Sequence, residues 1–187
     1  MAYNLIEKQV LFNGKKVRLE VHHLENDQGQ RSQREIVVHP GAVVILAIRA
    51  DQRILLIRNR RYAVGQILLE LPAGTLEKGE DPMNCAGREL QEETGYLAAR
   101  IQPIGNFFSS PGILTEKMYA FAAYDLELTK TALEEGEEIE LMPVLLDDAI
   151  DMIRDGQIVD AKTIATLLLF DRFHRHPATQ ARAQQEV

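Results

Sequence analysis

Three glutamates near the middle of the chain, Glu89, Glu92 and Glu93, have a spacing that could assemble a metal site. In a helix, residues three and four apart are neighbours, so these carboxylates would lie side by side, at a cost of about 0.2–0.5 kcal/mol per pair. The helix dipole also disfavours anions near a C-terminus, by about 0.3–1 kcal/mol each. A divalent cation such as Mg²⁺, which takes oxygen ligands and shares substrate phosphates, would resolve this conflict. A solvated acidic stripe has the same spacing, and these residues alone leave that alternative open.

The segment that carries these glutamates has the start and stop signals of a helix. Asp81 is suited to the N-cap, Pro82 to the first helical position and Gly95 to the residue just past the end. We therefore predict a helix over residues 82–94. One apolar face at i, i+3 and i+7 should pack on a sheet. Its members are Met83, Ala86 and Leu90.

The remaining pattern predicts a central mixed sheet flanked by helices. Residues 42–49 form a continuous apolar run rich in Val and Ile, typical of a strand buried on both faces. Other predicted strands are 53–59, 67–71, 104–109 and 117–126. Two further helices are predicted at about 147–154 and from about 160 onward. Short strands at 10–13, 15–24 and 34–39 predict a small separate sheet in the first 40 residues.

Composition excludes several classes of protein. The chain has 187 residues, 45% of them hydrophobic and 26% charged, as in an ordinary globular domain. Its formal net charge of −7 gives no basic surface for nucleic acid. The longest apolar run, residues 42–48, is far below the ~18 residues that span a bilayer, and no signal sequence is evident. We expect a cytoplasmic protein without nucleic-acid or membrane partners.

The segment from Gly74 to Tyr96 resembles the Nudix box, Gly-x5-Glu-x7-Arg-Glu-U-x-Glu-Glu-x-Gly-U, where U is a bulky apolar residue. Every defined position matches. The matching residues are Gly74, Glu80, Arg88, Glu89, Leu90, Glu92, Glu93, Gly95 and Tyr96. The resemblance implies an α+β Nudix fold, in which a central mixed β-sheet is sandwiched between helices, here with a small N-terminal antiparallel sheet. It implies three segments: an N-terminal element (1–40), a Nudix hydrolase domain (41–176) and a polar tail (177–187).

The resemblance also implies the roles of the box residues. Glu89 and Glu93 are the expected main ligands of Mg²⁺, with Mn²⁺ as a possible replacement, and Glu92 lies next to them. The backbone carbonyl of Ala73, just before the box, is expected to complete the site. In the family, Arg88 and Glu80 pair to hold the loop against the helix. The implied reaction is attack of water on one phosphorus of a diphosphate, with catalysis assigned to Glu89, Glu93 and a water-activating carboxylate.

That last carboxylate is expected in the acidic run Glu134-Glu135-Gly136-Glu137-Glu138. Family members place the residue that orients or deprotonates the water in a loop beyond the box. We assign the role to Glu137, with Glu135 as second choice. Glu138 and a solvated acidic loop remain alternatives.

Outside the box, the chain resembles ADP-ribose pyrophosphatases and related nucleoside-diphosphate-sugar hydrolases. The supporting stretches are 34–43, 70–74, Ser110-Pro111-Gly112 with Glu116, and Asp160-Ala161-Lys162-Thr163. Arg34 and Arg61 are the expected phosphate or ribose contacts, because arginine grips phosphate oxygens bidentately. Glu70 and Glu116 are expected at the ribose or the base. Surface ion pairs or a structural pair would explain the same four residues.

Base stacking is open, because Asn59-Arg60-Arg61 stands where relatives often carry Gln-aromatic-Arg. Tyr62, Phe107 or Phe108 could stack instead, or could belong to the core.

The expected reaction is hydrolysis of ADP-ribose to AMP and ribose 5-phosphate. Alternatives are another nucleotide sugar, such as GDP-mannose or ADP-glucose, and oxidised nucleoside triphosphates. A non-catalytic nucleotide sensor is a further alternative, although such proteins usually lose box carboxylates. In this subgroup the N-terminal sheet packs on a second subunit, so we expect a homodimer.

Overall fold

The computed structural model describes residues 2–131 and 138–175. Within them the chain divides into two compact units. Unit 1 contains residues 1–41 and 107–118, and unit 2 contains residues 42–106 and 119–187. The N-terminal sheet was predicted, whereas the inclusion of 107–118 in unit 1 was not.

Unit 1 is built on a three-stranded antiparallel sheet. Its strands, in the order β1-β2-β3, are β1 (Tyr3–Asn13), β2 (Arg18–Asn26) and β3 (Arg31–Val38). β1 is longer than the predicted strand at 10–13, and every one of its residues is exposed. A parallel bridge between Val37 and Leu114 ties the segment 107–118 to this sheet.

Unit 2 contains two sheets rather than the single central sheet that the sequence predicted. The strands are β4 (Ala42–Ala47), β5 (Arg53–Arg61), β6 (Gln66–Glu70), β7 (Ala73–Thr75), β8 (Tyr96–Phe108), β9 (Lys117–Leu128) and β10 (Ile139–Leu145), of which β8 and β9 extend into unit 1. One sheet has the order β7-β4-β9-β8 and the other β10-β5-β6. An isolated bridge between Ile48 and Ile54 links them.

The helices confirm the α+β prediction. They are α1 (Pro82–Thr94), α2 (Leu146–Arg154) and α3 (Ala161–Phe173). The bounds of α1 are those that the capping signals predicted. No helix in the described ranges is long and apolar enough to cross a membrane.

One part of the core of unit 2 lies between α1 and the four-stranded sheet and includes Leu55 of β5. β4 is buried along its whole length, as its continuous apolar run predicted. Ala86 and Leu90 of α1 join the same core. The expectation that Met83 packs with them was wrong, because Met83 is 43% exposed while Cys85 is buried. Met83 lies in the first turn of α1, ahead of the buried residues of the helix, which begin at Cys85 and include Glu93.

Candidate active site

Two caps fix where the glutamate-rich helix begins and ends. The Asp81 carboxylate accepts hydrogen bonds from the backbone N–H groups of Met83 (2.9 Å) and Asn84 (3.2 Å). At the other end Gly95 adopts φ 74°, a left-handed conformation that glycine reaches at low cost, and its N–H donates to Gln91. The glutamates therefore occupy the last two turns of a helix of fixed length.

The Arg88 guanidinium binds three carboxylates. Its Nη1 donates to Glu89 Oε1 (2.8 Å) and to Glu92 Oε2 (2.9 Å). Its Nε and Nη2 donate to the two oxygens of Glu80, at 3.0 and 3.1 Å. The cation thus offsets the repulsion that the spacing of Glu89 and Glu92 imposes, and it joins the loop before α1 to the helix, as the resemblance implied.

Glu80 attaches the loop before α1 to the helix. Besides Arg88, its carboxylate accepts the backbone N–H of Glu77 at 2.9 Å. The Arg88 hydrogen bonds, aided by that backbone bond, hold the pKa of Glu80 down at about 2. Glu80 is therefore ionised throughout the neutral range and pairs with a guanidinium that is always charged.

Glu93 lies apart from this cluster. It is only 4% exposed, and its Oε2 accepts the backbone N–H of Ala73 at 2.9 Å. The expected ligand Glu93 is thus hydrogen-bonded to the very residue whose carbonyl is the expected backbone ligand.

Gly74 allows the close approach of Glu89. A Cβ added at residue 74 would lie 1.8 Å from Cδ of Glu89 and 2.0 Å from its Oε1. Any side chain at this position would displace the Glu89 carboxylate. The first glycine of the motif therefore leaves room for this position of the Glu89 carboxylate.

The donor set suits a hard divalent cation. Three carboxylates, those of Glu80, Glu89 and Glu92, bind one guanidinium, and Glu93 adds a fourth at Ala73, so the region has an excess of negative charge and offers oxygen ligands. Within the described ranges, however, no group of three or more acidic, His or Cys side chains is already arranged to hold a metal ion. Glu89 and Glu92 point their oxygens at Arg88, so cation binding requires them to turn from it.

A second charged network lies at the end of β6. Glu70 is fully buried, and Arg61 donates to both of its oxygens, from Nε at 2.8 Å and from Nη2 at 2.6 Å. Lys162 Nζ donates to Oε2 of the same carboxylate at 2.5 Å. Burial raises the pKa of Glu70, but the two cations outweigh it and leave that pKa below its ordinary value.

The same network fixes the start of α3. Asp160 caps the helix by accepting the backbone N–H (3.0 Å) and hydroxyl (2.6 Å) of Thr163, and it also binds Lys162 at 2.9 Å. The Thr163 hydroxyl accepts the backbone N–H of Leu71 at 2.9 Å. Sequence reasoning did not assign Lys162 to the site. The signals that could have found it were its place two residues after a capping aspartate and its membership of the stretch 160–163, which resembles the subgroup.

Arg34 and Glu116, two expected substrate contacts, belong to unit 1. Arg34 is exposed, and its Nη1 donates to the Ser32 hydroxyl at 2.6 Å. Glu116 lies 3.5 Å from Nδ1 of His39. Burial lowers the pKa of His39, and the charge of Glu116 opposes that shift.

The expected water-activating carboxylates Glu137 and Glu135 lie outside the described residues. Glu138 is described, and its carboxylate accepts from Arg60 Nε at 3.4 Å. Of the aromatic candidates, Tyr62 is 77% and Phe108 55% exposed, so neither is a core residue.

Comparisons with known proteins give matches over most of the chain. A family model described as the NUDIX domain matches residues 38–167. An ADP-ribose pyrophosphatase of Bacillus subtilis (strain 168) is 41% identical over 160 residues, 84% of this chain and 86% of that protein. A methanol dehydrogenase activator of Bacillus methanolicus is 39% identical over 161 residues, 85% and 87%. A GDP-mannose pyrophosphatase of Yersinia pestis (strain Pestoides F) is 35% identical over 168 residues, 83% and 84%.

One solved structure has the same fold. It is described as the crystal structure of an ADP compounds hydrolase, and it aligns with a TM-score of 0.82 over 100% of this chain and 98% of that chain. The sequence identity is 23%, so this match concerns the fold.

Replacing Glu80 by Gln should destabilise the protein in a pH-dependent way. At pH 7 the loss of the charged hydrogen bonds to Arg88 should cost about 1–3 kcal/mol of unfolding free energy. Because the pKa of Glu80 is depressed from 4.5 to about 2, its contribution is complete above pH 4.5 and disappears as the pH falls toward 2. Denaturant unfolding of both proteins across this range measures the difference.

Glu77→Gln is the matched control, because Glu77 is hydrogen-bonded to Glu80 through its backbone N–H and carbonyl groups and not through its carboxylate. A Glu80→Gln deficit that does not shrink between pH 4.5 and 2 would contradict the assignment of the pKa to this ion pair.

Proposed function

The chain belongs to the NUDIX family of hydrolases, and on that premise we propose that it hydrolyses the pyrophosphate bond of ADP-ribose to AMP and ribose 5-phosphate. The observation that carries the proposal is the complete box, with Glu89, Glu92 and Glu93 gathered against Arg88 and Ala73. In the reaction the oxygen of water bonds to one phosphorus, the bond from that phosphorus to the bridging oxygen breaks, and the bridging oxygen leaves on the other phosphate.

Enzymes of this family generally need a divalent metal. We propose Mg²⁺, with Mn²⁺ as a possible replacement, held by Glu89, Glu92, Glu93 and the carbonyl of Ala73. When bound, the cation neutralises charge on the phosphate oxygens and lowers the pKa of a bound water. The oxygen-only donor set and its excess negative charge support this choice.

The remaining side chains act around that centre. Arg88 and Glu80 hold the loop before α1 against the helix. In this arrangement Glu89 lies against Gly74, and Glu93 accepts the backbone N–H of Ala73. Arg61 is the proposed phosphate contact in unit 2, since its side chain is 39% exposed. Glu70 is fully buried, so we propose that it contributes by orienting Arg61 and not by touching the substrate.

Arg34 remains a proposed contact to a phosphate or the ribose, and Glu116 remains a proposed contact to the ribose or the base. Glu137 remains the proposed water-activating base, with Glu135 as the second choice. A cytoplasmic location remains a prediction.

GDP-mannose is the second candidate substrate, because a GDP-mannose pyrophosphatase is 35% identical over most of this chain. ADP-glucose belongs to the same chemical class. The intact set of box carboxylates argues against a sensor that binds nucleotide without turnover.

With Mg²⁺ present, ADP-ribose should be hydrolysed faster than ADP-glucose, GDP-mannose or 8-oxo-dGTP, giving AMP and ribose 5-phosphate in equal amounts. Glu93→Gln keeps the shape of the side chain but removes the charge, so kcat should fall by about 100-fold or more. Chromatographic product analysis of both proteins measures this.

The matched control is Glu127→Gln, an exposed glutamate on β9 whose replacement should leave the rates unchanged. If GDP-mannose is hydrolysed fastest, the proposal of ADP-ribose as the substrate is wrong, whereas the proposal of pyrophosphate hydrolysis stands. Binding of nucleotide without any turnover would overturn the proposed function.

We further propose that the chain forms a homodimer through β1. This strand lies at the edge of its sheet, and an unpaired strand edge readily accepts another strand. Its exposed side chains are unusually apolar: Tyr3, Leu5, Ile6, Val10, Leu11 and Phe12 are each 41–59% exposed. Such a surface is typical of an interface.

Charges placed on β1 should therefore produce a monomer. The double variant Ile6→Asp/Phe12→Asp should sediment as a monomer at concentrations where the wild type sediments as a dimer, whereas Gln9→Asp on the same strand should remain dimeric. A wild type that is monomeric at every concentration in sedimentation velocity would contradict the proposal.

A further inference from the structure

The buried Glu70 carboxylate is held from two sides, and the metal centre does not explain this arrangement. Arg61, from β5, binds both of its oxygens, and Lys162, from α3, binds Oε2. A buried carboxylate is costly unless it is paired, but a bidentate arginine already supplies one full charge and two hydrogen bonds. Lys162 adds a second charged hydrogen bond to this carboxylate and also binds Asp160, so it connects the start of α3 to the pair of Glu70 and Arg61.

Arg61 has hydrogen-bond donors that Glu70 does not use. A guanidinium carries five N–H groups, and Arg61 uses only its Nε and Nη2 edge on Glu70. Its Nη1 donates to no residue in the described ranges, and the side chain is 39% exposed although its partner is fully buried. Arg61 is thus anchored on one edge and open to a ligand on the other.

The charge balance of the network depends on Lys162. Arg61 and Lys162 are positive, and Glu70 and Asp160 are negative, so these four groups balance one another, while the negative charge of Glu93 also acts on Arg61. Without Lys162 they would carry one net negative charge beside a site that must accept a diphosphate anion. Glu70 would also lose its only hydrogen bond from α3 among the described residues.

We propose that Lys162 is a positioning residue for substrate binding. By holding Glu70 from the α3 side and balancing its charge, it keeps the open edge of Arg61 oriented and electrostatically available for a phosphate group of a nucleoside-diphosphate sugar. Lys162 itself is mostly buried, with its side chain 16% exposed, and both acceptors of its ammonium group lie in the network. The inference rests on the proposed function, since it concerns the phosphates of the same substrate.

Lys162→Met should weaken binding more than it slows turnover. The dissociation constant of ADP-ribose, measured by calorimetry in EDTA so that no hydrolysis occurs, should rise about tenfold, and KM with Mg²⁺ should rise similarly while kcat changes less than about threefold. The effect should depend on Arg61, so that Lys162→Met adds little to the defect of Arg61→Met.

Two further variants separate charge from shape. Adding Asp160→Asn to Lys162→Met restores neutrality while asparagine still caps α3, so part of the affinity should return. Lys15→Met, an exposed lysine of unit 1, should bind as the wild type does. If Lys162→Met does not fold, Lys162→Gln, which keeps a hydrogen-bond donor toward Glu70, replaces it under the same criteria.

Unchanged affinity in Lys162→Met, or defects of Lys162→Met and Arg61→Met that simply add, would overturn the inference. A wild type that neither binds nor hydrolyses any nucleotide sugar would instead overturn the proposed function.

Discussion

The helix that carries the box glutamates depends on a single guanidinium, that of Arg88. It binds three carboxylates that would otherwise repel one another, and two of them, Glu89 and Glu92, lie in the last turns of the helix, where the dipole disfavours anions. The bonds to Glu80 fix the preceding loop, and those to Glu89 and Glu92 keep these side chains ordered. Arg88 therefore allows the protein to fold with Glu89 and Glu92 close together, before a metal ion neutralises their charge.

Residues 70–75 are where the two charged networks meet. From the α3 side, Lys162 holds Glu70 and Thr163 holds the backbone of Leu71. From the α1 side, Glu93 binds the backbone of Ala73, and Glu89 lies against Gly74. This short segment links a proposed phosphate contact to the proposed metal ligands, so a shift of either helix would alter both.

The sequence predicted the elements that local chemistry controls. Caps and a proline set the bounds of α1, and the apolar run predicted the buried strand β4. It misplaced Met83 because spacing around a helix shows which face is buried but not where along the helix the burial begins, which is at Cys85. Lys162 and the short strand β7 could not be predicted, because they depend on contacts between distant segments: Lys162 meets Glu70 across 92 positions. The roles of Glu89 and Glu93 were predicted from the resemblance to the box and not from their spacing alone. The contact between Gly74 and the Glu89 carboxylate is visible only in the structure.

The carboxylates around Arg88 and residues 73–74 form the proposed cation site. Titration of Gly74→Ala with Mn²⁺ tests this assignment most directly. The added methyl would overlap the Glu89 carboxylate, so affinity for Mn²⁺ should fall by roughly 10–100-fold. Gly87→Ala adds the same methyl within α1, where the nearest side-chain atom lies 3.6 Å away, and should bind Mn²⁺ as the wild type does. If folded Gly74→Ala binds Mn²⁺ with wild-type affinity, the cation does not bind where this account places it.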